Sequence, residues 1–142
     1  MKSLRTPLLA VDAVIFLGKG IVLIKRKNLP FKGCYALPGG FVEIGETTEE
    51  AVRRESMEET GLKIKILGLI GIYSDPARDP RGHIVSVSYL AKGYGNTNYG
   101  SDAQSVKVFA PGELPQLAFD HLTIIRDALK IKARYDKDHI EA

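Results

Sequence analysis

Long apolar runs and alternating apolar positions divide the chain into predicted β-strands. Thr6 to Leu17 is apolar except for Asp12, which predicts a strand buried on both faces of a sheet. The tripeptide 18–20, Gly-Lys-Gly, predicts a tight turn, and Ile21 to Lys27 then predicts a second strand that completes a hairpin. Further extended segments are predicted at 35–37, 63–74, 83–91 and 106–109. Together these segments indicate a mixed β-sheet.

The segment Thr47 to Thr60 is a predicted helix with a signal at each end. Thr47 and Glu50, three residues apart, form the sequence pattern of a capping box. Gly61 follows the helix where a residue in the left-handed conformation commonly ends one. The start and the end of this helix are therefore both predicted from local sequence.

A second helix is predicted to begin at Asp120, a residue type that favours the N-cap position. Phe119 and Ile124 are spaced for a hydrophobic staple across this N-terminus. Positions 122, 124, 125, 128, 129 and 131 are apolar with helical spacing, which predicts ordinary core packing. Strands together with two helices of this kind indicate an α/β fold with helices on the faces of the sheet.

Composition sets the broad class of the protein. The 142 residues amount to one domain, with 44% hydrophobic and 26% charged residues, which excludes an intrinsically disordered chain. No apolar run reaches the roughly 18 residues of a membrane span, and no signal peptide is recognisable. The single cysteine, Cys34, is most simply explained by a reducing, cytoplasmic location. The net charge of +3, spread along the chain, does not indicate a nucleic-acid-binding protein.

The first predicted helix carries an unusual cluster of acidic residues. Glu55, Glu58 and Glu59 lie within an arc of roughly 100° on a helical wheel. Like charges at this spacing destabilise a helix by a few tenths of a kcal/mol for each pair. One explanation is a solvated face with Arg53 and Arg54 as counter-ions. The other is a site for a hard divalent cation, which prefers carboxylate oxygens. The helical wheel alone leaves both explanations open.

The sequence around this helix resembles a known motif. Residues 40–62 read GFVEIGETTEEAVRRESMEETGL. This segment resembles the Nudix box at seven fixed positions: Gly40, Glu46, Arg54, Glu55, Glu58, Glu59 and Gly61. It departs at Ser56, where the motif usually has an apolar packing residue. The resemblance implies that residues 1–142 form a single Nudix domain, an α/β/α sandwich that hydrolyses nucleoside diphosphates linked to another group.

The same resemblance implies roles for the acidic residues. In that family the residues matching Glu55 and Glu59 are the principal metal ligands, and the one matching Glu58 assists. The carbonyl of the residue at Gly39 commonly completes the ligand set. The cofactor implied is Mg²⁺, with Mn²⁺ as a possible substitute. Such an ion would neutralise a pyrophosphate and activate a water molecule.

Three further residues receive expected roles from the resemblance. Glu46 and Arg54 are expected to pair and so to support the loop and the helix. A distant acidic residue often serves this family as a base or an additional ligand, and Asp102 is the candidate here. Glu113 is the alternative to Asp102, although a solvated loop position is the simpler explanation for it.

The loop after the motif bears on the substrate. A proline at this distance marks the ADP-ribose pyrophosphatase branch of the family, and Pro76 is nearest to that position, with Pro80 as the alternative. The run RDPRGH at 78–83 is also similar to that branch. Arginines suit phosphate oxygens, and aromatic rings can stack on adenine. The predicted substrate-binding residues are Arg26, Phe31, Tyr35, Pro76, Arg78 and Arg81.

These features predict a Mg²⁺-dependent enzyme that converts ADP-ribose to AMP and ribose 5-phosphate. A first alternative is a Nudix enzyme acting on oxidised nucleoside triphosphates or dinucleoside polyphosphates. A second is a non-catalytic ADP-ribose sensor. The expected partners are the small nucleotide substrate and a second copy of the chain, since homodimers are common in this branch. Neither nucleic acid nor a membrane is expected as a partner.

Overall fold

A computed structural model describes residues 4–97 and 105–139, which form a mixed seven-stranded β-sheet and two helices. Its strands run in the spatial order β3-β2-β1-β6-β5, with β4 paired to β1 and β7 paired to β2. The elements are β1 (Leu8–Leu17), β2 (Gly20–Lys25), β3 (Tyr35–Ala36), β4 (Gly39–Phe41), α1 (Thr48–Thr60), β5 (Lys63–Tyr73), β6 (Ile84–Tyr94), β7 (Val106–Phe109) and α2 (His121–Asp138). The predicted strands and helices are therefore confirmed, with boundaries shifted by a few residues.

Strand β1 lies at the centre of the sheet and is buried on both faces. Because side chains alternate along a strand, Val11 and Ile15 pack in a core on the side of α1. Val14 and Phe16 pack in a second core on the side of α2. The sheet therefore separates two helix layers, which confirms the α/β/α sandwich.

The partners of β1 explain where a cleft can form. Strand β1 is parallel to β6 along most of its length, from Leu8 opposite Ile84 onward. On its other edge it pairs with β2 only near the hairpin and with the short β4 farther back, where Asp12 lies opposite Gly39. This change of partner brings Asp12, the polar exception in the apolar strand, beside the residues that lead into α1.

Helix α1 has the ends that its sequence predicts. The Glu50 N–H donates to the Thr47 side chain, and the Glu50 carboxylate accepts from the Thr47 N–H, completing the capping box. Gly61 ends the helix in the left-handed conformation, with φ of 76°. Neither α1 nor α2 has the length and apolar character needed to cross a membrane, and the described residues contain no other helix of that kind.

Helix α2 begins where predicted, but Asp120 does not cap it. The Asp120 side chain makes no capping hydrogen bond. Its two carboxylate oxygens accept from the Arg78 guanidinium, with Nε–Oδ2 and Nη2–Oδ1 distances of 2.9 and 2.7 Å. A bidentate, charge-assisted pair is stronger than a neutral capping bond, so the prediction of an Asp120 cap is wrong.

Ser56 should be a weak point of α1. Its hydroxyl is fully buried, and no hydrogen-bond partner lies within the described residues. An unsatisfied buried hydroxyl costs about 1–3 kcal/mol. We expect Ser56→Ala to raise the free energy of unfolding by about 1 kcal/mol in urea titrations. The matched variant Ser88→Ala, which breaks a 2.9 Å bond between the Ser88 and Ser86 hydroxyls, should lower it. A loss of stability in Ser56→Ala would contradict this account.

Candidate active site

A polar cleft opens between β1, β2, β4, the C-terminal part of α1 and the loop before α2. Its volume is about 180 Å³. We call it the inner cleft; the residues that define it here are Asp12, Arg26, Glu59, Arg78, Arg81 and Phe119. Three arginines lie around so small a volume, together with the acids Asp12, Asp79 and Glu59, which indicates a site for a charged ligand.

Glu55 and Glu59, one helical turn apart, bring two carboxylates together at the edge of the inner cleft. The Glu55 side chain is 15% exposed, and the Glu59 carboxylate lies near the Gly39 N–H, with an Oε1–N distance of 3.4 Å. Burial, reinforced by the adjacent Glu55 carboxylate, raises the pKa of Glu59 well above its usual range. Two acids this close resist ionising together unless a positive charge joins them.

The backbone of β4 fits closely around these acids. A Cβ at Gly40 would lie only 2.5 Å from the Glu55 carboxylate carbon. A Cβ at Gly39 would clash with the Val11 carbonyl oxygen and lie 2.6 Å from Asp12 Oδ1. Only glycine allows such close approach of main chain and carboxylate, so both positions help to shape the site.

Glu58 points in a different direction from its two neighbours. Its side chain is 59% exposed and pairs with Arg54, with an Nη1–Oε2 distance of 3.4 Å. The structure therefore brings Glu55 and Glu59 together and leaves Glu58 on the rim. An assisting role for Glu58 stays a prediction.

The expected pair of Glu46 and Arg54 is present. Arg54 Nε and Nη2 donate to the two Glu46 oxygens over 2.7 and 2.9 Å. Arg54 also donates to the Phe41 carbonyl and to Glu55 Oε1. One guanidinium thus ties the loop, β4 and the first acid of the site to the helix, which accounts for a supporting role.

The pair should appear in the pH dependence of stability. Hydrogen bonds from Arg54 lower the pKa of Glu46 to about 2. A carboxyl group with a depressed pKa stabilises the fold above its unfolded-state pKa and loses that contribution as pH falls through its folded-state value. In the wild-type chain, we expect the stabilisation from this pair to be lost as the pH falls from about 4.5 to about 2. Glu46→Gln has no carboxyl group at this position and should not show that loss. Thermal melts at several pH values measure this loss.

The control for that series is Glu113→Gln, an exposed acid that forms no ion pair within residues 4–97 and 105–139. Its stability should follow the wild-type pH profile. Identical acid profiles for Glu46→Gln and wild type would contradict the stabilising role of the pair.

Asp12 and His121 form a buried polar group that sequence analysis did not assign to the site. Asp12 Oδ2 accepts from the Ser86 hydroxyl over 2.6 Å. His121 Nδ1 accepts from the Leu37 N–H, so Nε2 carries the proton and lies 3.5 Å from Asp12 Oδ1. Burial lowers the pKa of His121 and raises that of Asp12, and the two side chains partly offset these effects for each other. In the sequence, the signal that could have pointed to this group was Asp12, the polar exception in an apolar predicted strand.

Arg78 lines the inner cleft, but protein groups hold its guanidinium. Its side chain is 5% exposed, paired with Asp120, 4.0 Å from Asp12, and bonded to the Ile84 carbonyl. Burial opposes the charge, yet the hydrogen bonds and charge of Asp120 outweigh burial and raise the pKa of Arg78. The structure therefore favours a role for Arg78 as a fixed positive charge beside the cleft. It does not support the predicted role of a free hydrogen-bond donor to the substrate.

Arg26 and Arg81 also line the cleft, and the guanidinium group of each lies close to the Phe119 ring. Arg81 is held by Asp79 through Nε–Oδ1 and Nη2–Oδ2 distances of 3.1 and 2.8 Å. Arg26 Nε donates to the Pro30 carbonyl over 2.7 Å. The two guanidinium carbons lie 5.4 and 5.0 Å from the Phe119 ring centre. Sequence analysis treated Phe119 only as a packing residue.

Other predicted residues lie elsewhere. Tyr35 packs edge-to-face on Phe109, on the α2 side of the sheet, so the geometry does not support its predicted stacking on adenine. Pro76 is exposed on the loop and does not line the inner cleft. Phe31 contacts Phe119 by its ring edge and reaches the cleft only through that residue. Asp102 lies outside the described residues, so its role stays a prediction.

The acidic side chains of the site are candidate ligands for a divalent cation. Within residues 4–97 and 105–139, no three His, Cys, Asp or Glu side chains form a metal-binding group. Mg²⁺, however, is commonly held by one or two carboxylates together with water and substrate phosphates. The Glu55–Glu59 pair, in which a buried acid lies against a second acid, fits that pattern. The Gly39 carbonyl stays a predicted additional ligand.

Comparison with known proteins agrees with this geometry. The chain is 54% identical over 127 residues to the ADP-ribose pyrophosphatase of Methanocaldococcus jannaschii, covering 89% of this chain and 75% of that protein. It is 34% identical to the ADPR responsive transcriptional repressor NtrR of Acinetobacter baylyi, over 92% of this chain and 57% of that protein. The NUDIX domain of Shewanella oneidensis NrtR, solved with ADP ribose, superposes with a TM-score of 0.79 at 31% identity, covering 91% of this chain and 90% of that one.

The family assignment rests on the site as well as on these relatives. All seven fixed positions of the box lie in β4, α1 and the residues that join and end them. Two of them, Glu46 and Arg54, form the bidentate pair, and two others, Glu55 and Glu59, form the carboxylate pair. Residues 6–128 match the NUDIX domain as a whole, and the chain therefore belongs to the Nudix family.

Proposed function

We propose that this chain hydrolyses ADP-ribose at its pyrophosphate, giving AMP and ribose 5-phosphate, with Mg²⁺ as the cofactor. Members of the Nudix family generally use divalent metal ions. The observation that carries the proposal is the Glu55–Glu59 pair, which opens onto a cleft lined by arginines. That arrangement places ligands for a cation and hydrogen-bond donors for phosphate oxygens in one small volume.

One set of residues would bind the cation, and another set would bind the substrate. Glu55 and Glu59 would hold the cation, which supplies the positive charge that offsets the pyrophosphate and activates the attacking water. Arg26 and Arg81, which line the same cleft, would donate to phosphate oxygens. Water attacks one phosphorus atom, the bridging P–O bond breaks, and the other phosphate leaves with its sugar.

The shape of the site suits a substrate in which a central pyrophosphate joins two larger groups. Ligand pockets usually measure roughly 300–1,000 Å³, and the inner cleft, at about 180 Å³, is too small for the whole of ADP-ribose. An adjoining outer groove of about 610 Å³ is lined by Arg5, His83 and neighbouring residues. The two spaces share Phe41, Arg81 and Ile84. A substrate held by its pyrophosphate in the inner cleft can extend one end into the outer groove.

The relatives favour ADP-ribose over other nucleotides as the ligand. They leave open whether this chain hydrolyses ADP-ribose or only binds it. The 54% identical relative is named an ADP-ribose pyrophosphatase, whereas the 34% identical relative is named an ADPR responsive transcriptional repressor. Glu55 and Glu59 favour catalysis in this chain, because an ADP-ribose sensor has no need of two adjacent, partly buried acids. The chain spans 57% of the NtrR repressor, so whole-protein roles of that kind are not carried over.

A substrate panel tests the proposal. The purified chain with Mg²⁺ is assayed on ADP-ribose, UDP-glucose, diadenosine tetraphosphate and 8-oxo-dGTP, and kcat/KM is compared. We expect a preference for ADP-ribose of tenfold or more, which is about 1.4 kcal/mol of transition-state discrimination. A preference for 8-oxo-dGTP or a dinucleotide would keep the family chemistry and reject the substrate. Tight binding of ADP-ribose without turnover would identify a sensor.

We also propose a homodimer, a cytoplasmic location and a single domain over residues 1–142. Support for the dimer comes from exposed apolar side chains on one face of β1 and β4, namely Leu8 and Phe41. Support for a reducing compartment comes from the lone Cys34. Sedimentation equilibrium of the purified chain measures its mass in solution, and a monomer at micromolar concentration would reject the dimer.

A further inference from the structure

Phe119 has an unusual backbone for a bulky residue. Its φ is 53°, in the left-handed region that side chains with a Cβ rarely adopt. Within the described part of the chain, Phe31, with φ of 60°, is the other residue besides glycine in that region. The two rings meet edge-to-face, 4.9 Å apart between centroids, at the inner cleft. Strained residues persist where the surrounding structure holds them, and they concentrate at functional sites.

Neighbouring contacts hold Phe119 in this conformation. Before it, the Ala118 N–H donates to the Tyr35 carbonyl over 2.8 Å. After it, Asp120 is fixed by the buried Arg78. The chain is therefore anchored on both sides, and the ring turns into the inner cleft instead of joining the core around α2.

The ring brings two positive charges together. The guanidinium carbon of Arg26 lies 5.0 Å from the ring centre and that of Arg81 lies 5.4 Å away. Each contact lies within the range of a cation–π interaction. The positive charge of Arg81 contributes to lowering the pKa of Arg26, after the larger effect of burial. Arg81 also pairs with Asp79 and lies 5.7 Å from the Phe41 ring centre. The two guanidinium groups at the Phe119 ring nevertheless make a site for a ligand with two adjacent negative groups.

We propose that Phe119 is a positioning residue that holds Arg26 and Arg81 beside one ring, where both can bind the phosphates of a pyrophosphate. Resting on the proposed function, this inference assigns Phe119 to substrate binding through the two arginines. The aromatic face is the required property, and the strained backbone is what directs that face into the cleft. Leucine would fill the space without attracting the arginines, whereas tyrosine would keep the face.

The test compares Phe119→Leu and Phe119→Tyr with wild type in two assays. The first is the Kd of inorganic pyrophosphate with Mg²⁺ by calorimetry, and the second is the KM and kcat for ADP-ribose. We expect Phe119→Leu to raise both Kd and KM about tenfold with kcat within threefold, as for an interaction made equally in the ground and transition states. Phe119→Tyr should match wild type. Thermal melts confirm that each variant folds.

A double-mutant cycle separates positioning from packing. If the ring acts through Arg81, Phe119→Leu should raise Kd much less in an Arg81→Ala background than in wild type. The control Phe109→Leu, in the core on the α2 side, should leave Kd unchanged. Additive effects in the cycle, or wild-type pyrophosphate affinity in Phe119→Leu, would overturn the inference.

The two assays also distinguish this inference from the proposed function. Pyrophosphate binding that depends on Phe119, without hydrolysis of ADP-ribose, would support the inference and reject the proposed substrate. Hydrolysis of ADP-ribose that is insensitive to Phe119→Leu would do the reverse. Absence of pyrophosphate binding by the wild-type chain would overturn the inference.

Discussion

Glu59→Gln is expected to lower kcat for ADP-ribose by about a thousandfold, or about 4 kcal/mol of activation free energy, without loss of stability. Glutamine keeps the shape of the side chain but removes a cation ligand. The same change removes one of two acids that lie together at the edge of the inner cleft, so the folded state loses repulsion. Steady-state kinetics with Mg²⁺ and thermal melts measure the two effects. Reduced activity with an equal or higher Tm is the expected combination.

Two other glutamate variants show whether the effect is specific. Glu49→Gln changes an acid on the same helix whose carboxylate accepts from the Tyr89 hydroxyl, and it should retain wild-type kcat. Glu58→Gln changes an acid on the rim, 59% exposed, and should lower kcat much less than Glu59→Gln. Full activity with normal metal dependence in Glu59→Gln would remove the central assignment.

Arg78→Met is expected to lower the free energy of unfolding by about 3 kcal/mol, the typical cost of removing one partner of a buried ion pair. Arg78 is 5% exposed and is bonded to both oxygens of Asp120, with Asp12 4.0 Å away. Methionine fills a similar volume but leaves two carboxylates without the cation between them. Urea denaturation followed by circular dichroism measures the loss.

The matched control for Arg78→Met is Lys132→Met, which breaks an ion pair with Asp136 on the surface of α2. Surface pairs contribute about 0–1 kcal/mol, so this variant should stay near wild type. The double variant Arg78→Met/Asp120→Asn removes both charges and should recover part of the loss. Equal losses for the buried and surface variants would contradict the role given to Arg78.

Local sequence predicts most of the framework, because the signals for it lie within a few residues of one another. The apolar run in β1 predicts burial on both faces, and the structure places a core on each side. The capping box at Thr47 and the glycine at 61 predict both ends of α1. The acid cluster and the motif around it lie within 23 residues, so the Glu55–Glu59 pair could be anticipated.

The part of the site that sequence analysis missed depends on contacts between distant segments. Arg78 and Asp120 are 42 positions apart, and Asp12 and Ser86 are 74 apart. No local rule reports such pairs, and the rule for N-caps misled because it considers only the helix that follows Asp120. The left-handed backbone of Phe119 is likewise fixed by its surroundings. A lone acid in the apolar run of β1 was the single local indication of this group.

The measurement that tests the central claim most directly follows the products formed from ADP-ribose. Wild-type protein and Glu59→Gln are incubated with ADP-ribose and Mg²⁺, and the products are separated by ion-exchange chromatography. We expect AMP and ribose 5-phosphate in equal amounts from wild type, no release when the metal is removed with EDTA, and almost none from Glu59→Gln. Intact ADP-ribose after incubation with folded wild-type protein, or equal release by both proteins, would contradict the account.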